Sequence, residues 1–260
     1  MVRALPPPQR FMTKQGVAAL VKVKVLGILG GSGLYEASFF ERVSEKIVRT
    51  PHGEPSGRLQ IGEVDELRVA FIPRHGRKHT IPANQINHKA NIYALKREGV
   101  SHILASSSTG SLKKTIKPGE FVVPDDFLGF WNIPTLRQDV HHATPQLDES
   151  LRKVLKLTAE KAGAIVHDGG TYIQTSGPRL ETRAEIRFFK DYGDVLGMTM
   201  ASEATLACEM GIGYASLCAV DNFCNGIVQE VLTYEEIVRG QKRNSDILNR
   251  VMRAAVEMLA

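Results

Sequence analysis

At 260 residues, 43% of them hydrophobic, and with a formal net charge of +5, the chain is long and apolar enough for one large-cored α/β domain, and none of its apolar runs can span a bilayer. Its basic residues lie in scattered pairs rather than in one stripe with aromatics, which argues against a nucleic-acid surface and is equally well served by a small anionic substrate. Three cysteines, Cys208, Cys218 and Cys224, form an odd set with no CxxC pair, which argues against a disulfide framework or a zinc site and for the cytosol.

Residues 1–22 carry prolines and basic residues without the apolar core and cleavage site of a signal peptide. They read as a flexible leader in which Met12 is an alternative start, and residues 23–260 read as the single domain. Strands are expected at 25–29, 58–61, 67–72, 102–106, 121–123, 171–174, 195–198 and 214–220, short apolar runs bounded by turn residues. Between them Ile86, Ala90, Tyr93 and Ala94 share one helix face, with Gly99 where a left-handed cap belongs. A second helix is expected from near Asp148 to Gly163. A third opens on Thr182 and Glu185, and a C-terminal one on Thr233 and Glu236, both pairs spaced as capping boxes. The alternation of strands and helices is that of an α/β domain. Residues 124–146 read as a long loop holding Trp131, His141 and His142, and a loop of that length in a compact domain is more often functional than idle.

Several strand ends carry groups able to hold an anion. "VLGILGGSGLY" has neither the GxGxxG spacing nor the Gly-Lys-Ser/Thr of a P-loop, so Ser32 between two glycines sits either in a plain tight turn or in a phosphate cradle. "FIPRHGRKHTIP" places Arg74, His75, Arg77 and His79 after an apolar strand, as phosphate ligands or as a solvated basic loop. "ILASSSTGSL" ends a further strand in Ser106, Ser107, Ser108 and Thr109. Three such segments at strand carboxyl ends say more than any one, because open α/β sheets gather ligands along that edge. "TSGPRLETRAE" with Glu181, "GMTMASE" with Met198, Thr199 and Glu203, and "LCAVDNFCNG" with Asp221, Asn222 and Phe223 supply polar groups for the rest of a pocket.

Taken in order, "GGSG", "RHGRKH", "NHKANIYALKREG", "STGS", "PGEFVVPDDF", "SGPRLETRAE", "GMTMASEA" and "YASLCAVDN" resemble the methylthioadenosine phosphorylase branch of the purine nucleoside phosphorylases, over most of the chain. The resemblance implies a single-domain α/β phosphorylase fold with a mixed central sheet flanked by helices, a trimer or dimer of trimers, inorganic phosphate as co-substrate, and no metal or other cofactor. Carried over by motif, Ser32, Arg74, His75, Ser107, Ser108 and Thr199 would hold phosphate, Met198 would lie under the ribose, Glu203 would accept a sugar hydroxyl, and Asp221 would face the purine near N7 as the catalytic group. Phosphorolysis passes through a cationic sugar, so a fixed phosphate beside C1′ stabilises that charge and supplies the nucleophile, while a donor near N7 makes the purine a better leaving group.

The chain departs from that branch at the base. Where the branch has a serine after "GPRF" and an Asp-x-Asp at the strand end, this sequence has Glu181 in "GPRLET" and Phe223 in "DNF". An ionised Glu181 repels the N1 acceptor of adenine and binds the N1–H of hypoxanthine or guanine, and Asn222 can donate to O6. Inosine, guanosine and 5′-methylthioinosine are the expected substrates; methylthioadenosine is the alternative, since Asp221 stands where 6-oxopurine enzymes usually carry Asn. With Leu180 at the usual stacking position, stacking falls to Phe223 or another chain, and the 5′ end falls to Trp131 or the His141–His142 pair. A nucleosidase using water would share the fold with less use for Arg74, His75 and the serines.

Overall fold

Every residue from Leu26 to Gly30 in β1 (Val25–Gly30) is buried, as expected of a central parallel strand covered on both faces. This computed structural model describes residues 21–34, 41–131, 133–140 and 142–260; residues 1–20 of the expected leader, and His141, lie outside the described residues. After β1 come β2 (Glu41–Lys46), β3 (Leu59–Val64) and β4 (Leu67–Pro73), then α1 (His88–Arg97) and the long β5 (His102–Ser111). β6 (Phe121–Val123), β7 (Asp126–Gly129), α2 (Glu149–Lys161), β8 (Val166–Asp168) and β9 (Thr171–Gln174) follow. The chain finishes with α3 (Arg183–Phe189), β10 (Val195–Gly197), α4 (Met200–Glu209), β11 (Gly213–Phe223) and α5 (Tyr234–Leu259).

The helix starts obey their local signals. Asp148 caps α2 by accepting from the N–H groups of Ser150 and Leu151, and α3 and α5 open with the reciprocal capping boxes that Thr182/Glu185 and Thr233/Glu236 predict. Gly99 takes φ +84° just past α1, a left-handed conformation that favours glycine. Each expected strand forms, but β5 runs on to Ser111 rather than stopping at 106, because its Ser/Thr-rich half reads as a turn until tertiary pairing claims it. β2, β7 and β8 are absent from the sequence-based expectation; they are short and polar, and β7 arises inside the 124–146 segment by pairing in parallel with β9.

The mixed sheet runs β2-β3-β4-β1-β5-β10-β9-β7, with β11 joined to β5 and β6, and β6 to β8. On one face α2 and α5 bury Leu151, Val154, Leu155, Val251 and Met252 against Leu26, Ile28 and Phe71; on the other α1 and α4 bury Ile92, Leu95, Met200 and Ala204 against Leu29, Ile72, Ile103 and Tyr214. Each such aliphatic side chain contributes roughly 1.5–3 kcal/mol. This is the mixed sheet flanked by helices that the sequence leads one to expect.

β5 decides where a ligand can sit. Its Cα register with β1 ends at the Leu29/Ala105 pair, and on that edge β10 takes over only at Gly110, pairing antiparallel. Between them the edge at 106–109 has no strand beside it. The turn after β1, the end of β4 and the start of α4 all converge there.

Candidate active site

At that opening the Gly31 N–H donates to Ser106 Oγ at 3.0 Å and the Arg74 N–H donates to Gly30 O at 3.0 Å. A Cβ on Gly31 would lie 2.4 Å from Arg74 Nη1 and 2.6 Å from Ser106 O, so the second glycine of "GGSG" is required by close approach. Arg74 is 1% exposed. Its Nε and Nη2 donate to Glu203 Oε1 and Oε2 at 2.6 and 2.8 Å, Nη2 also to Leu29 O at 3.3 Å, and Nη1 to Ser106 O at 2.5 Å. Among the described residues these bonds use four of the five guanidinium N–H groups and leave one on Nη1 for a ligand. Burial opposes its charge, but Glu203 outweighs burial and holds the pKa of Arg74 above its ordinary value. His75 donates from Nδ1 to Ile81 O at 2.8 Å, while burial, helped by Arg74, pushes its pKa down to about 4. The ring is therefore neutral near pH 7, with Nε2 an acceptor, suited to the P–OH of a hydrogen phosphate.

Ser32, Arg74, His75, Ser108, Met198, Thr199, Glu181 and Asn222 line one open cavity of about 840 Å³, part of it continuous with solvent. Thr199 lines the cavity from the N-cap of α4 without its hydroxyl capping the helix, while the Thr199 and Met200 N–H groups at that helix end donate to Tyr172 Oη at 3.2 and 3.4 Å. Across the cavity Glu181 is 8% exposed and accepts from Thr175 Oγ1 at 2.7 Å; burial raises its pKa. Gly177, φ +62°, precedes a cis proline, and a Cβ there would lie 2.5 Å from Met198 Sδ, so glycine lets the Glu181 turn fold over the methionine. Leu180, Leu232, Ile237 and Gln241 complete this end. Sequence reasoning passed over the last three, because they come from the start of α5 and its approach, a capping box with nothing in it to announce a ligand.

Four expected site residues are placed elsewhere. Strand alternation turns Ser107 away from the cavity, where its Oγ lies 3.3 Å from Ser216 Oγ; Ser106 does the positioning on the other side. Glu203 is not a sugar acceptor: both oxygens are occupied by Arg74, and Oε2 also accepts from Tyr214 Oη at 2.8 Å. Phe223 faces a second cleft with Pro118 and Val228 and does not stack over the first; Leu180 itself lines the cavity. Asp221 also opens on that second cleft. The β5/β11 register steps from the Val220/Thr109 pair to Asn222/Gly110, and this bulge leaves Asp221 unpaired while it delivers Asn222 to the cavity. Trp131 lies beside the site, in adjoining clefts with Thr175 and Ser176.

Residues 25–257 match the family model of the phosphorylase superfamily. The chain belongs to that superfamily. A probable 6-oxopurine nucleoside phosphorylase of Archaeoglobus fulgidus is 39% identical over 235 residues, 90% of this chain and 96% of the relative. The S-methyl-5′-thioadenosine phosphorylase of Pyrococcus abyssi is 38% identical over 239 residues, 89% and 91% of the two chains. Among solved structures, methylthioadenosine phosphorylase from Schistosoma mansoni in complex with adenine superposes with a TM-score of 0.83 at 29% identity, covering 89% of this chain and 90% of the other. This phosphorylase is thus a pentosyltransferase of the purine nucleoside phosphorylase family, which acts on nucleosides and phosphate. No helix among its described residues is long and apolar enough to cross a membrane.

Proposed function

We propose that the enzyme phosphorolyses 6-oxopurine nucleosides, releasing hypoxanthine or guanine and the ribose 1-phosphate, with 5′-methylthioinosine as a further substrate. The observation that carries this is Glu181, a buried carboxylate on the wall of the same cavity, whose side chain is held by the Thr175 hydroxyl and its own main-chain N–H and by no cationic partner within 4 Å among the described residues. Such a group satisfies the N1–H of a 6-oxopurine and opposes the N1 lone pair of adenine. Asn222 beside it is suited to O6. At the other end Ser32, Thr199, the remaining Nη1–H of Arg74 and the neutral His75 hold hydrogen phosphate, with the phosphate charge facing the oxocarbenium-like carbon. No cofactor enters this chemistry, and the site is proposed to act within a trimer or dimer of trimers.

A second reading, methylthioadenosine phosphorolysis, is favoured by the similarity to the Pyrococcus abyssi and Schistosoma mansoni enzymes. The deciding experiment is phosphate-dependent base release from inosine, guanosine, 5′-methylthioinosine, adenosine and 5′-methylthioadenosine, compared side by side. Turnover of the 6-oxo substrates without methylthioadenosine is expected; a preference for methylthioadenosine would overturn Glu181 as the selector. Base release without phosphate would make the enzyme a nucleosidase.

A further inference from the structure

One wall of the cavity has no part in the phosphorolysis reading. Leu232, Ile237 and Gln241 form it from α5 and its approach, and Gln241 is the polar group among them. Its place is fixed from behind. By their spacing Ile237, Gly240, Gln241 and Asn244 share one helix face. A Cβ on Gly240 would lie 2.2 Å from Asp221 O, so glycine lets α5 press directly onto β11. One turn further on, Asn244 Nδ2 donates to Val220 O at 2.9 Å and to Asp221 Oδ1 at 2.7 Å, which pins the same face.

The neighbours also orient the Gln241 amide. Ser108 Oγ gives its one proton to Asp221 Oδ2, so toward Gln241 it can only accept. Burial pushes the Asp221 carboxyl up to about 6, so at pH 8 it is the ionised acceptor this arrangement needs. Gln241 therefore turns its N–H group to Ser108, Nε2 donating to Oγ at 3.3 Å. Its carbonyl oxygen receives no donor among the described residues, and the residue lines the cavity.

Ser108 marks the level of the sugar. Two residues before it Ser106 O accepts from Arg74, at the anion end; two residues after it a Cβ on Gly110 would lie 3.2 Å from Asn222 Nδ2, at the base end. At about 3.3 Å per residue Ser108 stands midway, with Gln241 bonded to it. In a β-nucleoside the C5′ substituent stands on the same face of the sugar as the base, and the phosphate enters from the opposite face. A nucleoside with its base at Glu181 and its C1′ toward Arg74 thus carries its 5′ group away from both ends, and the α5 wall is left to receive it. Trp131 lies in the adjoining clefts instead.

We propose that Gln241 selects the 5′ substituent of the nucleoside: its carbonyl oxygen accepts from a 5′-hydroxyl, which makes 5′-hydroxyl nucleosides the better substrates and 5′-methylthio nucleosides the poorer ones. This rests on the phosphorolysis reading above. A thioether has no proton to give, and seating it against Gln241 strips water from the amide oxygen without replacing that bond. Leu232 and Ile237 cover the C5′ methylene of either substrate, so the discrimination falls on Gln241.

The test compares kcat/KM at pH 8 and saturating phosphate for inosine, 5′-deoxyinosine and 5′-methylthioinosine, in wild type, Gln241→Leu and Gln241→Met. The three substrates share base and sugar ring, so ratios among them cancel any general loss of activity. Wild type is expected to prefer inosine to either analogue by roughly 5- to 10-fold, the worth of one neutral hydrogen bond. In both variants the preference over 5′-deoxyinosine is expected to fall to within about twofold, and 5′-methylthioinosine to overtake inosine. Gln241→Met keeps the length and volume of the side chain, and so serves where Gln241→Leu does not fold. Equal use of inosine and 5′-deoxyinosine by wild type, a wild-type preference for 5′-methylthioinosine, or an inosine preference that survives in the variants would overturn the selection by Gln241. Failure of wild type to release base from any nucleoside would overturn the phosphorolysis reading with it. A preference for adenine over hypoxanthine as leaving base would overturn only the role of Glu181, because the 5′ comparison is made at fixed base and then runs with adenosine, 5′-deoxyadenosine and 5′-methylthioadenosine to the same expected ratios.

Discussion

At the anion end of the cavity, Arg74 is gripped by both oxygens of Glu203 and by two main-chain carbonyls, every group of the set buried. At the base end, Glu181 accepts from the Thr175 hydroxyl and its own main-chain N–H, and the Asn222 side chain donates to the neighbouring Phe223 carbonyl at 2.9 Å. The first end is part of the folded core; the second leaves hydrogen-bonding capacity unspent for a ligand. An anion of fixed charge needs a cation held in place whatever nucleoside arrives, whereas discrimination between bases needs groups whose partners the substrate itself completes.

Breaking the anion end should show first as lost stability. Glu203→Ala leaves Arg74 a buried, unpaired cation and is expected to cost about 3–5 kcal/mol in urea unfolding, along with phosphate affinity; a loss under 1 kcal/mol would mean that the main-chain carbonyls alone satisfy Arg74. The contrasting carboxylate is Asp221, which makes no ion pair within 4 Å among the described residues and whose folded pKa, about 6, lies above its ordinary 3.8 because burial outweighs its hydrogen bonds and the nearby Arg243. A raised carboxyl favours the fold at pH values below its unfolded pKa, and that contribution is lost as pH climbs from about 4 through 6. Asp221→Asn removes the titration, so its stability relative to wild type should grow by up to about 3 kcal/mol between pH 3.5 and 8, read from denaturant midpoints at each pH. A difference that does not change with pH would place the Asp221 charge in contact with water.

Glu181→Ser tests the base end without touching the core ion pair. It is expected to lower kcat/KM for inosine by roughly 100-fold, about 2.7 kcal/mol, and to narrow the gap to 6-aminopurine nucleosides, with unfolding little changed. An equal fall for inosine and methylthioadenosine would assign Glu181 a structural task instead. The smallest effect is expected at Ser32→Ala: one donor among several at the anion, worth about 1 kcal/mol and so a several-fold rise in the KM for phosphate with kcat nearly kept.

By itself the amino-acid sequence determined the elements whose signals are local: the buried apolar strands, the capping boxes at Thr182 and Thr233, the turn glycines, and the anion-binding groups at consecutive strand ends. It also determined which residues depart from the methylthioadenosine pattern at the base, because a substitution of Glu181 for a small hydroxyl is visible without coordinates. Tertiary structure alone decided which oxygen faces which neighbour. Alternation along β5 sent Ser107 outward and Ser108 inward, and one extra residue in β11 moved Asp221 behind the wall and Asn222 into it. Glu203, four residues past Thr199 in sequence, reads like a pocket residue, but the path of α4 carries it beneath the site to a partner 129 positions away. Such placements depend on register and on long-range pairing, where a shift of one residue reverses the face a side chain presents and leaves the local sequence signal unchanged.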